Sequence, residues 1–427
     1  MSFTKIGRFL FYIFIFLLPL FYIPNVNIPF EVNKTMFLLI SLSIMAVLGV
    51  VSILKEGKYV LKNKVVSLGI SLFLLMTAIS TIFISSNPIN SFFGENGSSD
   101  SLIAFFLYAG VFFLTPIFIK GKEDVKNLLV AFVSGISILN LGFLGKVMMG
   151  QEAFLPLSSV NVLAILNVVG LTSIFYLYKE EKNPSIKGLL GLASIILFVS
   201  FILINFNIGW FVLALVSFLI FWGILLQNNF KKGNLLLLLV TVVSVILFIL
   251  NLSFPFEKKV DSQTLSFADS YSITKNATFL GSGAVTFDEN FLKYNPSMIG
   301  SSIYYESSSV IFTILNNFGY LGVILFVFPF AVAILKGSNR FLRRKQDNLE
   351  TVSFISLFVL FILLFFYGFD LVLMLSLFLF LSLFLILSEK GKEIVFKSKN
   401  PNIIFINIAW LSLVTIAIIV LNYFYVL

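Results

Sequence analysis

Long apolar runs separated by short polar segments make up most of this chain. The hydrocarbon core of a bilayer is spanned by roughly 20 apolar residues in a helix, and backbone amides in lipid must be paired within their own segment. Each run of about that length therefore predicts a transmembrane helix. Thirteen such runs lie near residues 9–24, 35–54, 65–84, 101–119, 128–149, 159–178, 188–205, 208–226, 235–252, 310–335, 351–369, 371–388 and 403–426. The pattern predicts an all-α, polytopic transmembrane helix bundle of about 12–13 spans.

One long polar segment, residues 253–309, interrupts this rhythm. It divides the chain into residues 1–252 with nine spans, the large loop itself, and residues 310–427 with four more spans. Loops longer than about 12–15 residues are usually functional or disordered, and this loop contains too many aromatic residues for a disordered linker. We expect it to fold, with short helices near 266–277 and 284–294.

The basic residues predict the orientation, because cytoplasmic segments of membrane proteins are enriched in Lys and Arg. If the N-terminus is cytoplasmic and the spans alternate, 23 of the 29 basic residues, including all four arginines, fall on the cytoplasmic side. The other side keeps six lysines, which are Lys34, Lys146, Lys258, Lys259, Lys275 and Lys293. We therefore expect a multi-pass protein of the cytoplasmic (inner) membrane, with a cytoplasmic N-terminus and an extracytoplasmic large loop.

The first apolar run predicts a retained helix. Lys5 and Arg8 precede it, as basic residues precede the apolar core of a signal peptide. The run continues past Pro19 to Pro24 without the small-residue cleavage site that a signal peptide needs.

Composition excludes several classes of function. The chain is 59% hydrophobic and 11% charged, with a mean hydropathy of +1.04, whereas soluble domains carry about 25% charged residues. It contains no cysteine and no histidine, which removes disulfides, thiolate nucleophiles and the commonest metal ligand. We expect no metal site and no cofactor. The net charge of +9 is explained by the basic residues of the expected cytoplasmic segments, so nucleic acid is not an expected partner.

The polar loops also carry glycine and aromatic motifs. The stretches Phe279-Leu-Gly-Ser-Gly-Ala-Val-Thr-Phe287 and Phe291-Leu-Lys-Tyr-Asn-Pro296, with Gly319-Tyr-Leu-Gly322 after them, resemble the large-loop region of the O-antigen ligase and polymerase family. Phe92-Phe-Gly-Glu-Asn-Gly97 is similar to an early loop of that family. Its members are membrane glycosyltransferases that act on undecaprenyl-diphosphate-linked glycans outside the cytoplasmic membrane. The resemblance implies a role in cell-envelope polysaccharide biosynthesis, with membrane lipid, a polyprenyl-diphosphate-linked glycan and an acceptor glycolipid, glycan or protein as partners.

Two family positions differ in this chain. The family places a histidine ahead of its Gly-x-x-Gly helix, where this chain has Ser308 followed by Ser309. It also places an arginine at the outer end of a middle helix, where this chain has Ile208. Catalysis by the family's usual residues therefore cannot occur here, and fold similarity alone does not carry the activity.

The chemistry of glycan transfer selects the remaining candidates. A leaving diphosphate needs cations, for which a lysine can serve as a point charge. An acceptor hydroxyl needs a base, and a carboxylate near apolar surface suits that role because burial raises its pKa. Glu306 and Ser308 are the candidate catalytic residues. The candidate substrate-binding residues are Lys146, Lys275, Lys293, Asp288 and Tyr305.

Structural roles compete with these assignments. Lys293 and Asp288 also fit ordinary solvated loop charges, Ser308 and Ser309 a helix N-cap, and Lys146 a side chain that extends to the membrane interface. Two other functions stay open: a non-catalytic relative that binds a glycan lipid or acts as a scaffold, and a transporter or flippase of lipid-linked oligosaccharide. Ion-coupled transport is disfavoured because the spans contain almost no ionisable residues.

Overall fold

The structure is a computed structural model, and it describes residues 3–22, 30–94, 98–150, 155–226, 235–253, 265–275, 277–294, 307–343 and 346–395. These residues form helices α1 (Phe3–Leu17), α2 (Phe30–Glu56), α3 (Lys64–Phe83), α4 (Pro88–Phe93), α5 (Leu102–Phe118), α6 (Lys122–Met148), α7 (Val160–Glu180), α8 (Pro184–Ile204), α9 (Asn207–Leu226), α10 (Leu235–Ser253), α11 (Phe267–Thr274), α12 (Phe287–Tyr294), α13 (Val310–Leu342), α14 (Asn348–Leu363) and α15 (Leu371–Ser388). Strands β1 (Lys58–Leu61) and β2 (Lys392–Val395) form one antiparallel pair, with Lys58 opposite Val395.

The fold class predicted from the sequence is confirmed. Twelve of the thirteen predicted spans coincide with a helix, and the thirteenth, 403–426, lies outside the described residues. Both predicted short helices of the large loop are present, as α11 and α12. Within the described ranges, nine helices are long and apolar enough to cross a membrane, and α5 and α14 are shorter apolar helices.

The distribution of apolar side chains is that of a membrane protein. Helix α15 is the centre of the bundle: it packs on α5, α13 and α14, and its Phe380 and Phe384 are fully buried. Helix α10, which has the highest hydropathy of the nine candidate spans, instead exposes leucine and isoleucine side chains such as Leu236 and Ile249. Large exposed apolar surfaces of this kind are rare in soluble monomers, whereas lipid solvates them.

Seven ion pairs between described residues lie at one end of the bundle. They join residues that the sequence assigns to the cytoplasmic side: Arg8–Asp124, Lys58–Glu393, Lys120–Glu56, Lys122–Asp347, Lys126–Glu181, Lys336–Glu389 and Arg340–Glu350. We call this the basic end, and it also carries the two-stranded sheet. The opposite end, which carries residues 85–94, 98–101, 265–275 and 277–294, is the loop end.

One cation lies deeper than the sequence suggests. Helix α2 begins at Phe30, so Lys34 lies within the helix rather than ahead of it. Its side chain is only 1% exposed, and Nζ donates a hydrogen bond to the Leu18 carbonyl at 3.0 Å. Lys34 is therefore a buried residue and is not available at the surface of the loop end.

Cysteine labelling tests the orientation of the two ends. The natural chain has no cysteine, so Ser86→Cys at the loop end and Lys182→Cys at the basic end each introduce one exposed thiol. The positive-inside distribution predicts that a membrane-impermeant maleimide labels the Ser86→Cys variant in intact cells. It should label the Lys182→Cys variant only after permeabilisation, and the opposite pattern would show that the bundle is inverted.

Candidate functional site

Helix α13 is interrupted inside the bundle, where its sequence reads Asn316-Asn317-Phe318-Gly319. Gly319 has φ 67° and ψ −169°, a conformation that residues with a side chain rarely adopt. The interruption breaks the regular pattern of hydrogen bonds between successive turns. Backbone groups on both sides of Gly319 consequently need partners from elsewhere in the chain.

The segment between α11 and α12 supplies these partners. The N–H groups of Ser282 and Gly283 donate to the carbonyls of Asn316 and Asn317 at 3.2 and 2.8 Å. In return, the N–H of Leu321 donates to the Phe279 carbonyl at 3.2 Å. The large loop is thereby joined to α13 by backbone hydrogen bonds. These bonds bring together the two stretches, 279–287 and 319–322, on which the family resemblance rests.

Close approach of the two backbones requires glycine on both sides. A Cβ atom added to Gly281 would lie 2.3 Å from the carbonyl oxygen of Asn317, and one added to Gly319 would lie 2.3 Å from that of Thr278. Gly281 also has a positive φ of 78°. Gly281 and Gly319 therefore permit the turn and the close contact between the loop and α13, which a side chain at either position would obstruct.

A buried cluster of polar side chains extends from this contact, and we call it the carboxamide cluster: Asp100, Asn290, Asn316 and Asn317. The Nδ2 atom of Asn317 donates to the Asp100 carboxylate at 2.8 Å, and that of Asn316 donates to Asn317 Oδ1 at 2.9 Å. Asn290 of α12 donates to Asn316 Oδ1 at 2.9 Å. Burial raises the pKa of the Asp100 carboxyl, although hydrogen bonds from Asn317 and from backbone N–H groups oppose the shift. These amides bind one another, which makes the cluster structural.

Helix α11 has one buried and one exposed face. Ser270, Ile273 and Thr274 are buried, and Ile273 packs with Phe287 and Phe291. This packing holds α11 against α12 and the start of α13. The opposite face of α11 is therefore held at the surface of the loop end in a defined orientation.

The exposed face presents aromatic rings beside a lysine. Phe267, Tyr271 and Lys275 recur every four residues and so lie on one side of the helix. Phe267 and Tyr271 are 56% and 52% exposed, and the ring of Phe312 lies 4.8 Å from the first and 6.1 Å from the second. Lys275 Nζ lies 5.5 Å from the centre of the Tyr271 ring. We call Phe267, Tyr271, Lys275 and Phe312 the aromatic–lysine face.

The serines at the family's histidine position have structural hydrogen bonds. Both the N–H and the hydroxyl of Ser308 donate to Ser270 Oγ at 3.1 Å, which ties the start of α13 to α11. The Ser309 hydroxyl accepts from the N–H of Ile311 at 3.2 Å, so Ser309 is the N-cap of α13. The helix-cap alternative is thus confirmed for Ser309, whereas Ser308 binds α11.

The other candidates identified from the sequence are not residues of the aromatic–lysine face. Lys293 and Asp288 belong to α12, where Lys293 is exposed and Asp288 is half-buried in the first turn. Lys146 is half-buried in the last turn of α6, where a positive charge interacts favourably with the helix dipole. Tyr305 and Glu306 lie outside the described residues.

An apolar groove lies between α8, α9 and α10. Its volume is about 630 Å³, and most of its wall is leucine, isoleucine and valine. At the loop end it finishes in polar groups, where Asn205 Oδ1 accepts hydrogen bonds from Trp210 Nε1 at 2.6 Å and from Asn251 Nδ2 at 3.0 Å. This α8–α10 groove therefore has an apolar length and one polar end.

A short series of contacts connects the groove to α11. The N–H of Val310, at the start of α13, donates to the Tyr367 carbonyl at 2.9 Å. The Tyr367 ring packs edge-on against Phe206 at 5.9 Å, and Phe206 follows Asn205 at the polar end of the groove. The aromatic–lysine face and the mouth of the groove thus belong to one packed region of the loop end.

Sequence reasoning missed one buried charge pair in this half of the bundle. Asp370, the N-cap of α15, accepts hydrogen bonds from the Ser158 hydroxyl and the Leu373 N–H. Its carboxylate also attracts the ammonium of Lys34. Asp370 was visible as a lone acid between two apolar runs, but its partners come from distant segments, so only the fold identifies them.

Substitution at Gly319 tests the role of the α13 interruption. Gly319→Ala places a Cβ against the Thr278 carbonyl and disfavours the positive φ, so we expect it to lower the free energy of unfolding by about 1–3 kcal/mol. Gly142→Ala in α6 is the control, because its added Cβ meets no atom within 4 Å. Thermal unfolding in detergent should show a lower transition temperature for Gly319→Ala alone. Equal transitions for the two variants would contradict the assigned role.

Comparison of the chain with protein families, with curated proteins and with solved structures gives no match.

Proposed function

We propose that this membrane protein binds an undecaprenyl-diphosphate-linked glycan at the outer face of the cytoplasmic membrane, as an O-antigen ligase-like protein of envelope glycan assembly. The observation that carries the proposal is the aromatic–lysine face at the loop end. The distribution of basic residues supports an extracytoplasmic position for this end, because the lysines and arginines of the seven ion pairs described above lie at the opposite one.

The aromatic–lysine face suits the polar part of such a ligand. The C–H faces of sugar rings are apolar and pack on exposed aromatic rings, and Phe267 and Tyr271 offer two of them on one helix. The diphosphate carries at least two negative charges, and its burial without a cation is costly. Lys275, one helical turn beyond Tyr271, supplies that cation.

The α8–α10 groove suits the isoprenoid part. A polyprenyl chain is long, flexible and wholly hydrocarbon, and the groove offers about 630 Å³ of mostly apolar space on the lipid-facing side of α10. Its polar end, at Asn205 and Asn251, lies in the same packed region as α11. One ligand with a polar head and an apolar tail can therefore use both features.

Binding, rather than transfer, is the role that these side chains favour. The Ser308 hydroxyl is engaged with Ser270, and Ser309 caps α13, so neither serine is poised as a nucleophile. Ile208 stands where the family has its outward arginine. The non-catalytic relative therefore agrees best with the described residues.

Two substitutions separate recognition of the diphosphate from recognition of the sugar. Lys275→Ala should weaken binding of a fluorescent polyprenyl diphosphate, with or without sugars, by about 1.5–3 kcal/mol, the value of a charge-assisted hydrogen bond. This corresponds to a rise in Kd of about tenfold or more. Tyr271→Ala should weaken binding only when sugars are attached. Binding isotherms of the purified protein in lipid nanodiscs measure both effects.

Lys179→Ala is the matched control. Lys179 also holds its ammonium over an aromatic ring, at 4.3 Å from the centre of Phe175, but at the basic end. Its substitution should leave Kd unchanged. If Lys275→Ala and Lys179→Ala bind the glycan lipid as tightly as the natural protein, the aromatic–lysine face is not the binding site and the proposed function loses its support.

A further inference from the structure

The segment that joins the large loop to α13 carries two apolar side chains that the protein leaves exposed. Phe279 is 62% exposed and Leu280 39%. Apolar surface is more stable away from water, by about 25 cal/mol for each Å². A single exposed apolar residue is common on any protein surface. The position of these two residues in the bundle therefore determines what their exposure means.

Both residues lie against helices whose outer faces are apolar. The N–H of Leu321 in α13 donates to the Phe279 carbonyl at 3.2 Å, and the Ser80 hydroxyl of α3 donates to the Leu280 carbonyl at 3.3 Å. Helices α3 and α13 also pack on each other. Their large exposed side chains include Leu68, Leu72, Leu75, Ile79, Ile82 and Phe83 on α3 and Tyr320, Ile324 and Phe328 on α13. Phe279 and Leu280 continue this lipid-facing surface at the loop end.

The two helices also give the depth of the segment. At the basic end, Glu389 accepts hydrogen bonds from Asn63, the N-cap of α3, and from Lys336 of α13. Asn63 and Ser80 are 17 residues apart in the sequence. The same separation lies between Lys336 and Gly319, whose backbone approaches the Phe279 carbonyl closely.

This separation is shorter than the thickness of the membrane interior. At 1.5 Å per residue, 17 helical residues cover about 25 Å. The hydrocarbon core is about 30 Å thick, and a charged group such as Glu389 is expected at or outside its boundary. Residues 278–281 therefore lie about 5 Å inside the opposite boundary of the core.

Backbone within hydrocarbon needs hydrogen-bond partners, and the carbonyl groups of the segment have them. Those of Phe279 and Leu280 accept from α13 and α3. The Gly281 carbonyl accepts from the Thr278 hydroxyl at 2.9 Å, which also provides a partner for the polar side chain of the segment. What the segment offers to its surroundings is therefore chiefly the apolar surface of Phe279 and Leu280.

We propose that residues 278–281 lie within the leaflet at the loop end, and that Phe279 and Leu280 contact lipid acyl chains there. The depth favours acyl chains over water, and the continuity with the outer faces of α3 and α13 favours lipid over another protein. The leaflet then stabilises the joint between the large loop and α13 from outside. The proposal concerns a different part of the loop end from the aromatic–lysine face and does not depend on the proposed function.

Spin labelling measures the depth of the segment directly. The natural chain has no cysteine, so Phe279→Cys and Leu280→Cys each provide one site for a nitroxide. Both variants should fold, because the natural side chains are exposed. In lipid nanodiscs, oxygen concentrates in the hydrocarbon core, whereas a nickel chelate stays in water. Each label should collide with oxygen more often than with the chelate, at a ratio that corresponds to a depth of about 5 Å.

Two further variants calibrate the measurement. Leu75→Cys lies near the middle of α3, where the natural side chain is 58% exposed, and its label should show the larger oxygen preference of the bilayer interior. Ser86→Cys lies at the exposed loop end, and its label should prefer the chelate. Chelate accessibility at 279 and 280 equal to that at 86 would place the segment in water and overturn the proposal. Low accessibility to both reagents would also overturn it, because protein from this chain or a second copy would then cover the two side chains.

Discussion

A helix that is interrupted inside an apolar bundle leaves backbone groups that water does not reach, and each such group must find a partner. The interruption of α13 at Gly319 imposes this requirement. Segment 277–286 meets it by bonding the carbonyls of Asn316 and Asn317 and by accepting from Leu321. The position of the large loop, and with it the orientation of α11 and α12, follows from this one contact.

Charged and neutral polar side chains are distributed differently at the two ends of the bundle. At the basic end, oppositely charged side chains pair across neighbouring helices, as Lys120 does with Glu56. In the carboxamide cluster at the loop end, the neutral amides of Asn316 and Asn317 bind each other and the carboxylate of Asp100. The aromatic rings and the lysine on the exposed face of α11 support the proposed binding of carbohydrate attached to a charged lipid.

The hydropathy pattern predicts the twelve spans that lie within the described residues, and the sequence also predicts the two short helices of the loop, because both depend on local sequence. The serine at position 309 likewise indicated an N-cap, because serine is a preferred residue there and its preference is local. The burial of Lys34 and the pairing of Asp370 with Ser158 were beyond this reasoning, since their partners are far along the chain. The same holds for Asn316 and Asn317, which in sequence are only two polar residues in an apolar run.

Hydrogen exchange at the joint between the loop and α13 tests the central claim most directly. If the large loop is held by the interrupted helix, the amides of Ser282, Gly283 and Leu321 should exchange as slowly as the interior of α13, because each donates a buried backbone hydrogen bond. Exchange-resolved mass spectrometry of peptides covering 278–286 and 319–325 measures this. Rapid exchange of the 278–286 amides, at the rate of exposed loop residues, would contradict the account.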